Sequence, residues 1–182
     1  MGKQYDRISE RHKAFIAGQH IFFVATAANG RVNLSPKGLD SLRVVGDNRV
    51  LWLNLTGSGN ETAAHLLQND RMTLMFCAFS GDPLILRLYG TARAVHPGDG
   101  QWEALAAHFP DIPGARQVLD MHVDLVQTSC GFGVPEMDFK QNRQVLTDWA
   151  EKKGDAGVRA YWAEHNRSSL DGNPTGIPTE EP

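Results

Sequence analysis

The residues with the clearest chemical potential lie where an apolar segment, residues 50–55, ends and a helical pattern begins near Asn60. Residues 56–59 between them read Thr-Gly-Ser-Gly. Small hydroxyl and glycine residues let backbone N–H groups converge on one point, and a helix start adds unpaired donors and partial positive charge. Both features favour a phosphate group. Residues 56–62, called the glycine junction below, are therefore a candidate site for a phosphorylated cofactor.

The same residues allow an explanation that needs no ligand. Ser58 and Glu61 have the Ser-x-x-Glu spacing of a capping box. In such a box the serine hydroxyl and the glutamate carboxylate each accept a hydrogen bond from a backbone N–H at the helix start. Capping boxes are common helix starts, so spacing alone favours the cap over the phosphate site.

Other reaction classes find little support in the sequence. The seven histidines include no His-Glu-x-x-His pattern, which disfavours metal catalysis. The glycine junction is not a serine-hydrolase elbow, and Thr62 stands where a dinucleotide-binding motif needs its third glycine. No Walker lysine follows it. The two cysteines, Cys77 and Cys130, are too far apart in sequence to suggest a metal knuckle or a redox dithiol.

Composition narrows the possible partners and the compartment. The 182 residues are enough for one domain, and 18 Lys and Arg against 21 Asp and Glu leave no basic field for nucleic acid. No apolar stretch reaches the roughly 18 residues of a membrane span, and the first residues are polar. We expect a cytoplasmic protein that binds neither nucleic acid nor membranes.

Hydrophobic periodicity predicts a mainly β fold with flanking helices. Strands are predicted over residues 21–27, 31–35, 42–45, 49–55, 72–79, 84–95 and 118–129, and helices over residues 8–19, from 60, over 102–108 and after 138. Arg87 stands among apolar neighbours of the strand 84–95. It could contact an anion, form an ion pair at a subunit interface or extend to solvent.

Four segments in this order resemble a known family. Residues 31–38, with the sequence Arg-Val-Asn-Leu-Ser-Pro-Lys-Gly, together with 54–66, 71–79 and 84–95, resemble the pyridoxamine 5'-phosphate oxidase-like FMN-binding split barrels. Residues 127–135 are similar to a subgroup described as predicted flavin-nucleotide-binding proteins. The resemblance implies an antiparallel six-stranded split β-barrel of Greek-key type, in a homodimer with the cofactor at the subunit interface.

The resemblance also implies the extent of the barrel domain and the function. Residues 1–135 would form the FMN-binding domain. Hydrophobic periodicity predicts helices packed on the barrel within residues 136–168, and residues 169–182, rich in proline and polar residues, are expected to form a flexible tail. The function implied is that of an FMN-dependent oxidoreductase acting on an unidentified small molecule. The alternative is a non-enzymatic protein that stores or senses a flavin or haem, and deazaflavin is a further possible cofactor.

The family's site residues map onto matching positions of this chain. Those expected to bind the cofactor are Arg31, Asn33, Ser35, Lys37, Thr56, Ser58, Asn60, Thr62 and Arg87, and those expected on the substrate side are Gln127 and Ser129. Asn33 and Ser35 would contact the ring or ribityl chain, and the glycine junction would hold the phosphate. Arg87 would complete the anion site, or the groove from the neighbouring subunit. No residue is assigned a catalytic role, because the cofactor carries the chemistry in such enzymes.

The chain departs from true pyridoxamine phosphate oxidases at one position. Those enzymes have a pair of basic residues at the helix start, where this chain has Glu61 and Thr62. A carboxylate repels a phosphate, so either Glu61 points back to cap the helix, or the phosphate shifts toward Lys37 and Arg31. The family's arginine-bearing C-terminal motif has no counterpart either, so we do not expect oxidation of pyridoxamine phosphate.

Overall fold

The computed structural model describes residues 2–178 of the chain. Its strands are β1 Lys3–Tyr5, β2 Phe22–Thr26, β3 Asn33–Lys37, β4 Leu42–Gly46, β5 Arg49–Leu55, β6 Arg71–Cys77, β7 Ile85–Val95 and β8 Ala115–Ser129. Its α-helices are α1 Glu10–Ala17, α2 Glu61–Leu66, α3 Trp102–Ala106 and α4 Val145–Tyr161, and a π-helical turn, Trp162–Asn166, follows α4. The mainly β architecture with flanking helices is confirmed.

All strands join one antiparallel sheet in the order β3-β2-β6-β7-β8-β5-β4, and β1 pairs with β8 beside this path. The sheet therefore has eight strands, whereas the family resemblance implied six. The strand that periodicity missed is β1. It is only three residues long and none of its residues is buried, so it has no apolar pattern to reveal it.

The barrel interior is a cluster of large apolar side chains around Trp52 and Phe76, both about 1% exposed. A second cluster, which includes Leu51 and Val118, lies under α3. The long strands β7 and β8 shift register at Gly90. A Cβ at Gly90 would overlap the carbonyl oxygen of His122, so only glycine allows the two backbones to approach so closely there.

The C-terminal segment, residues 138–178, contacts the barrel through Trp162, Asn166 and Leu170. Helix α4 begins at Val145 rather than near residue 138, and it is kinked at Gly154, whose φ is 63°. Residues 169–178 were expected to form a flexible tail, but Thr175 and Ile177 are 1% and 8% exposed. The polar composition concealed this packing, because side-chain hydrogen bonds rather than apolar burial fix much of the segment. Residues 179–182 lie outside the described residues.

No helix within residues 2–178 combines the length and apolar character needed to cross a membrane.

Candidate functional site

The glycine junction connects β5 to α2, as the sequence predicts. Helix α2 begins at Glu61, and its N-cap residue, Asn60, makes no side-chain capping hydrogen bond. The Glu61 carboxylate accepts hydrogen bonds from the backbone N–H of Leu170, at 3.0 and 3.2 Å. The predicted capping box between Ser58 and Glu61 is therefore wrong, because Glu61 turns to the C-terminal segment. Ser58 and its two flanking glycines are exposed.

The C-terminal segment also holds the start of the junction. The buried Thr56 hydroxyl donates to the carbonyl oxygen of Gly114 at 2.8 Å and accepts from the indole Nε1 of Trp162 at 2.7 Å. Asn166 Nδ2 donates to the Gly57 carbonyl oxygen at 3.0 Å. Thr56 was predicted to contact the cofactor, but its hydroxyl is committed to these two partners and its residue is 1% exposed. Its role in the described structure is to anchor the junction.

A buried arginine lies under the junction. Arg116, near the start of β8, is 2% exposed and donates through Nη1 to the Gly59 carbonyl oxygen at 3.1 Å and to Asn166 Oδ1 at 2.7 Å. Its Nε has no hydrogen-bond partner. Burial lowers the pKa of the Arg116 guanidinium to about 10, so it is still charged at neutral pH. Both partners are neutral, so this charge is not compensated by a carboxylate within residues 2–178.

A second buried chain of polar groups reaches the junction from the other side. His96 Nε2 lies 3.1 Å from Gln117 Oε1, and Gln117 Nε2 donates to Asn60 Oδ1 at 3.0 Å. Burial lowers the pKa of His96, which favours the neutral ring, and the neutral tautomer with its proton on Nε2 would donate to Gln117 Oε1. Asn60 Nδ2 is buried without a hydrogen-bond partner. Two buried donors without a partner therefore lie at the junction. Asn60 Nδ2 belongs to it, and Arg116 Nε lies beneath it.

The polar residues of β3 lie next to the junction. Asn33, Ser35 and Lys37 are partly buried, while the intervening Leu34 and Pro36 are exposed. Their register partners on β2 are Thr26, Val24 and Phe22, whose side chains are all buried. Residues opposite one another in a sheet share a face. Asn33 Nδ2 donates to Thr62 Oγ1 at 3.3 Å, which joins this row to the glycine junction.

Lys37, at the end of this row, has no carboxylate partner within residues 2–178. Its Nζ lies 5.3 Å from the centroid of the Trp52 ring, within the range of a cation–π contact. Burial, and secondly the charge of Arg116, lower the pKa of Lys37 to about 8. The positive charges of Arg116 and Lys37 therefore repel each other. An anion between them would relieve that repulsion.

Arg31 lies at the other end of β3, and its charge has a partner. Its side chain pairs with Asp171, and its backbone N–H donates to Asp171 Oδ2 at 2.7 Å. The Arg31 side chain is 71% exposed. This contact lowers the pKa of the Asp171 carboxyl. The phosphate was expected to shift toward Lys37 and Arg31, and of these two cations only Lys37 has no carboxylate partner among residues 2–178.

Arg87 and the two substrate-side residues lie together, but on the opposite face of the sheet. Arg87 is in register with Gln127 and donates to Ser129 Oγ at 3.3 Å. Gln127 Oε1 accepts from the Tyr89 hydroxyl at 3.2 Å. Arg87 is also in register with Met75, and Met75 with Phe23, whereas Lys37 is opposite the neighbouring Phe22. Successive side chains of a strand point to opposite faces of the sheet. Within one chain, Arg87 and the polar residues of β3 therefore lie on opposite faces.

Comparison with known sequences identifies the family. The sequence model of the family described as pyridoxamine 5'-phosphate oxidase matches residues 8–130. The chain belongs to this family. It is also 35% identical, over 189 aligned residues, to the pyridoxamine 5'-phosphate oxidase family protein ustO of Aspergillus flavus. That alignment covers 93% of this chain and 76% of the relative, so the similarity extends beyond the family match into the C-terminal segment.

Solved structures agree with this assignment at the level of the fold. HupZ of Group A Streptococcus shares 24% sequence identity with a TM-score of 0.53, over 65% of this chain and 91% of that one. A putative pyridoxamine 5'-phosphate oxidase of Lactobacillus delbrueckii shares 18% identity with a TM-score of 0.53, over 67% and 94% of the two chains. The fold of this family member is the family's split barrel.

The residues that sequence reasoning missed come from β8 and the C-terminal segment. They are Arg116, Gln117, Trp162 and Asn166. Arg116 and Gln117 lie at the start of β8. Polar residues at that position are typical of a strand end exposed to solvent, so they gave no sign of burial. Trp162 and Asn166 lie over 100 residues from the junction in sequence. A charged residue at the start of the long final strand was the one available signal.

Proposed function

We propose that this family member is an FMN-dependent oxidoreductase acting on a small molecule. The observation that carries the proposal is the Asn33–Thr62 hydrogen bond, which joins the polar row of β3 to the glycine junction. The resemblance assigns the first to the flavin ring and the second to the flavin phosphate. A single ligand that binds both regions needs them to be adjacent, and this hydrogen bond joins them.

The chemistry of the junction suits an anionic group. Two buried donors, Asn60 Nδ2 and Arg116 Nε, have no hydrogen-bond partner. Leaving buried donors unpaired costs about 1–3 kcal/mol each, and a phosphate oxygen would accept from them. The exposed backbone of residues 57–59 and the charge of Lys37 add further attraction for a phosphate. The residues present therefore fit FMN better than riboflavin, which lacks the phosphate.

The residues would divide the work of binding as follows. Asn33 and Ser35 would hydrogen-bond the polar edge of the ring or the ribityl chain, Lys37 would supply positive charge, and Asn60 would donate to the phosphate. A bound flavin supplies hydride transfer to or from a substrate. The protein's part is to position both molecules and to limit the access of water.

We further propose that the protein is a homodimer, with Arg87, Gln127 and Ser129 of one subunit facing the ligand bound by the other. The outer face of β2, β6 and β7 supports this, because it carries the half-buried Phe23, Met75 and Tyr89. At the edge of the same face, Val32 and Leu34 are 73% and 63% exposed. Exposed apolar side chains next to an open edge strand favour association with a second copy.

The cytoplasmic compartment belongs to the same proposal. Cys77 is buried and unpaired, and Cys130 is exposed and unpaired. An exposed free thiol persists most readily in a reducing compartment. Burial raises the pKa of the Cys77 thiol, which makes it unreactive.

The decisive experiment is spectroscopic. The purified protein should be yellow, or should become so with added FMN, with a flavin absorption band that a nicotinamide cofactor bleaches. A bound flavin that no nicotinamide or small-molecule donor reduces would favour the storage or sensing alternative. A haem band or a deazaflavin band would replace FMN as the cofactor. A protein that binds none of these would overturn the proposal.

A further inference from the structure

We propose that Arg116 binds the phosphate group in this chain and that Asn166, from the C-terminal segment, positions it. Arg116 would take the place of the basic pair that the helix start lacks. The inference rests on the proposed function, because it names the contacts made by the phosphate of the proposed cofactor. No comparison assigns either residue, and Asn166 lies outside the residues that match the family.

The first argument is the state of the Arg116 guanidinium. It is 2% exposed, and its Nη1 makes hydrogen bonds to a carbonyl oxygen and an amide oxygen, both neutral. Within residues 2–178 no carboxylate pairs with it. A buried charge with only neutral partners lowers the stability of the fold, and a bound anion would offset that cost. Its free Nε belongs to the edge of the guanidinium that binds phosphate through two parallel hydrogen bonds.

The second argument is position. The Gly59 carbonyl oxygen, which accepts from Arg116, lies directly before Asn60, the residue with the other unpartnered donor. The charge of Arg116 also acts on Lys37. Three groups from β3, the junction and β8 therefore converge on one region. All three are cations or donors, and together they describe a site for an anion.

The third argument explains the departure at Glu61. A carboxylate at the start of α2 would repel a phosphate, but both carboxylate oxygens of Glu61 accept from the Leu170 N–H. The C-terminal segment thus binds the one acidic side chain of the junction. The same segment supplies Asn166, which contacts Arg116. The C-terminal segment therefore hydrogen-bonds the Glu61 carboxylate, which would repel a phosphate, and also supports the Arg116 guanidinium, which would attract one.

Asn166 is the central residue of this arrangement. It is fully buried, its Oδ1 accepts from Arg116 at 2.7 Å, and its Nδ2 donates to the Gly57 carbonyl oxygen at 3.0 Å. Its own carbonyl oxygen accepts from the Thr175 hydroxyl at 2.6 Å. Asn166 fixes the guanidinium and the glycine loop relative to each other. Because Arg116 is covered, phosphate binding includes a shift of the exposed residues 57–59.

The test compares FMN with riboflavin, which differ only in the phosphate. The dissociation constants of both are measured by flavin fluorescence for the wild type, R116M, N166D and the control R93M, whose exposed arginine lies on the barrel surface. N166D keeps an oxygen that accepts from Arg116, but it replaces the Nδ2 donor to the Gly57 carbonyl oxygen by a carboxylate oxygen and adds a negative charge, which compensates Arg116 and repels phosphate. Unfolding temperatures show whether each variant is folded.

We expect FMN affinity to fall at least tenfold in R116M and N166D and to stay within twofold in R93M, with riboflavin affinity unchanged in all three variants. A merely structural role for Asn166 would leave FMN and riboflavin affected equally. If R116M does not fold, N166D decides. Wild type that binds both flavins equally, or a folded N166D with unchanged FMN affinity, would overturn this inference and leave the proposed function standing. Wild type that binds no flavin would overturn the proposed function itself.

Discussion

Lys37 Nζ lies 5.3 Å from the centroid of the Trp52 ring, although Trp52 belongs to the innermost core of the barrel. A lysine reaches this position only by leaving most of its hydration behind, and its pKa falls to about 8 as a result. The side chain is therefore close to its titration midpoint in mildly alkaline solution. Any function that depends on its charge must depend on pH in that range.

The first prediction concerns the pH dependence of FMN binding. The phosphate of FMN is a dianion above about pH 6, so Lys37 attracts it only while protonated. FMN affinity should be steady near pH 7 and should decline as pH rises through about 8 toward 9. The K37M variant should bind FMN more weakly at pH 7 and should lose this decline. A titration of both proteins in one buffer series measures the effect.

The same residue predicts the pH dependence of stability. The folded protein releases the Lys37 proton near pH 8, whereas the unfolded chain holds it up to the ordinary value of 10.5. The unfolded state thus binds more protons between these values, so Lys37 makes the free energy of unfolding rise with pH in this window. Denaturant unfolding of the wild type and K37M across pH 7.5–10 should differ in slope. Equal slopes would mean that Lys37 is better hydrated in solution than the structure shows.

The second prediction separates the C-terminal contact from a helix cap at the start of α2. Glu61 accepts from the Leu170 N–H, and Asn60 makes no side-chain cap. S58A should therefore leave stability unchanged within about 0.5 kcal/mol, where loss of a true cap would cost about 1 kcal/mol. E61A should lower the free energy of unfolding by about 0.5–1 kcal/mol, since the contact is exposed to solvent.

Hydrogen exchange gives this prediction a local measurement. The Leu170 amide should exchange faster in E61A than in the wild type, and it should be unaffected in S58A. Faster exchange at α2 in S58A would instead restore the capping box. Global unfolding measurements by themselves would not distinguish a lost contact at Leu170 from a frayed helix.

The capping box shows why local patterns identify elements better than contacts. Residues 58–61 correctly predict that a helix begins there, because hydrophobic periodicity and small residues are local properties. Which group Glu61 contacts depends on a backbone N–H 109 residues away. Spacing contains no information about that distance. The same limit applies to Thr56, whose residue type suits a phosphate site but whose hydroxyl bonds Trp162.

The sequence predicts the orientation of the polar residues of β3 better than it predicts the contacts of Glu61 and Thr56, for a physical reason. Alternation along a strand places Asn33, Ser35 and Lys37 on one face whatever the fold around them, and the register with β2 gives that face to the barrel interior. Arg116 could not be found in this way. Its importance comes from burial without a charged partner, and neither burial nor pairing of a strand-end arginine follows from its neighbours in sequence.

The third prediction tests the contact between the two halves of the site. Asn33 Nδ2 donates to Thr62 Oγ1 at 3.3 Å. N33A and T62V should each weaken FMN binding, and the double variant should lose less than the sum of the two. The interaction energy in this double-mutant cycle should be about 0.5–1.5 kcal/mol. Additive losses would mean that the two residues act on the ligand independently, without the contact between them. R93M, at an exposed arginine, serves as the folded control.

The fourth prediction concerns the buried hydrogen bond that fixes the junction to the C-terminal segment. Trp162 Nε1 donates to Thr56 Oγ1 at 2.7 Å, and Trp162 is 6% exposed. W162F keeps most of the apolar volume but removes the donor. We expect a loss of about 1–2 kcal/mol in the free energy of unfolding, because a buried bond is lost and some volume is left empty. Chemical denaturation followed by circular dichroism measures it, and a loss below about 0.5 kcal/mol would contradict the contact.

The last prediction asks whether one ligand site uses both faces of the sheet. Lys37 faces the barrel interior of its own chain, and Arg87 faces outward, so a ligand that contacts both must lie between two subunits. K37M and R87A homodimers should each bind FMN weakly, since every site lacks one cation. When the two variants are unfolded together and refolded, half of the mixed protein is a heterodimer. One of its two sites then has both cations, and the other has neither.

A quarter of all sites in the mixture should therefore recover wild-type affinity, and these should appear as a distinct tight phase in an FMN titration. The two variants mixed without unfolding serve as the control, provided that subunits exchange slowly. A mixture that shows only weak sites would place Lys37 and Arg87 in different sites. An R87A variant that binds like the wild type would remove Arg87 from the cofactor site and leave it, with Gln127 and Ser129, to the substrate or to the subunit contact.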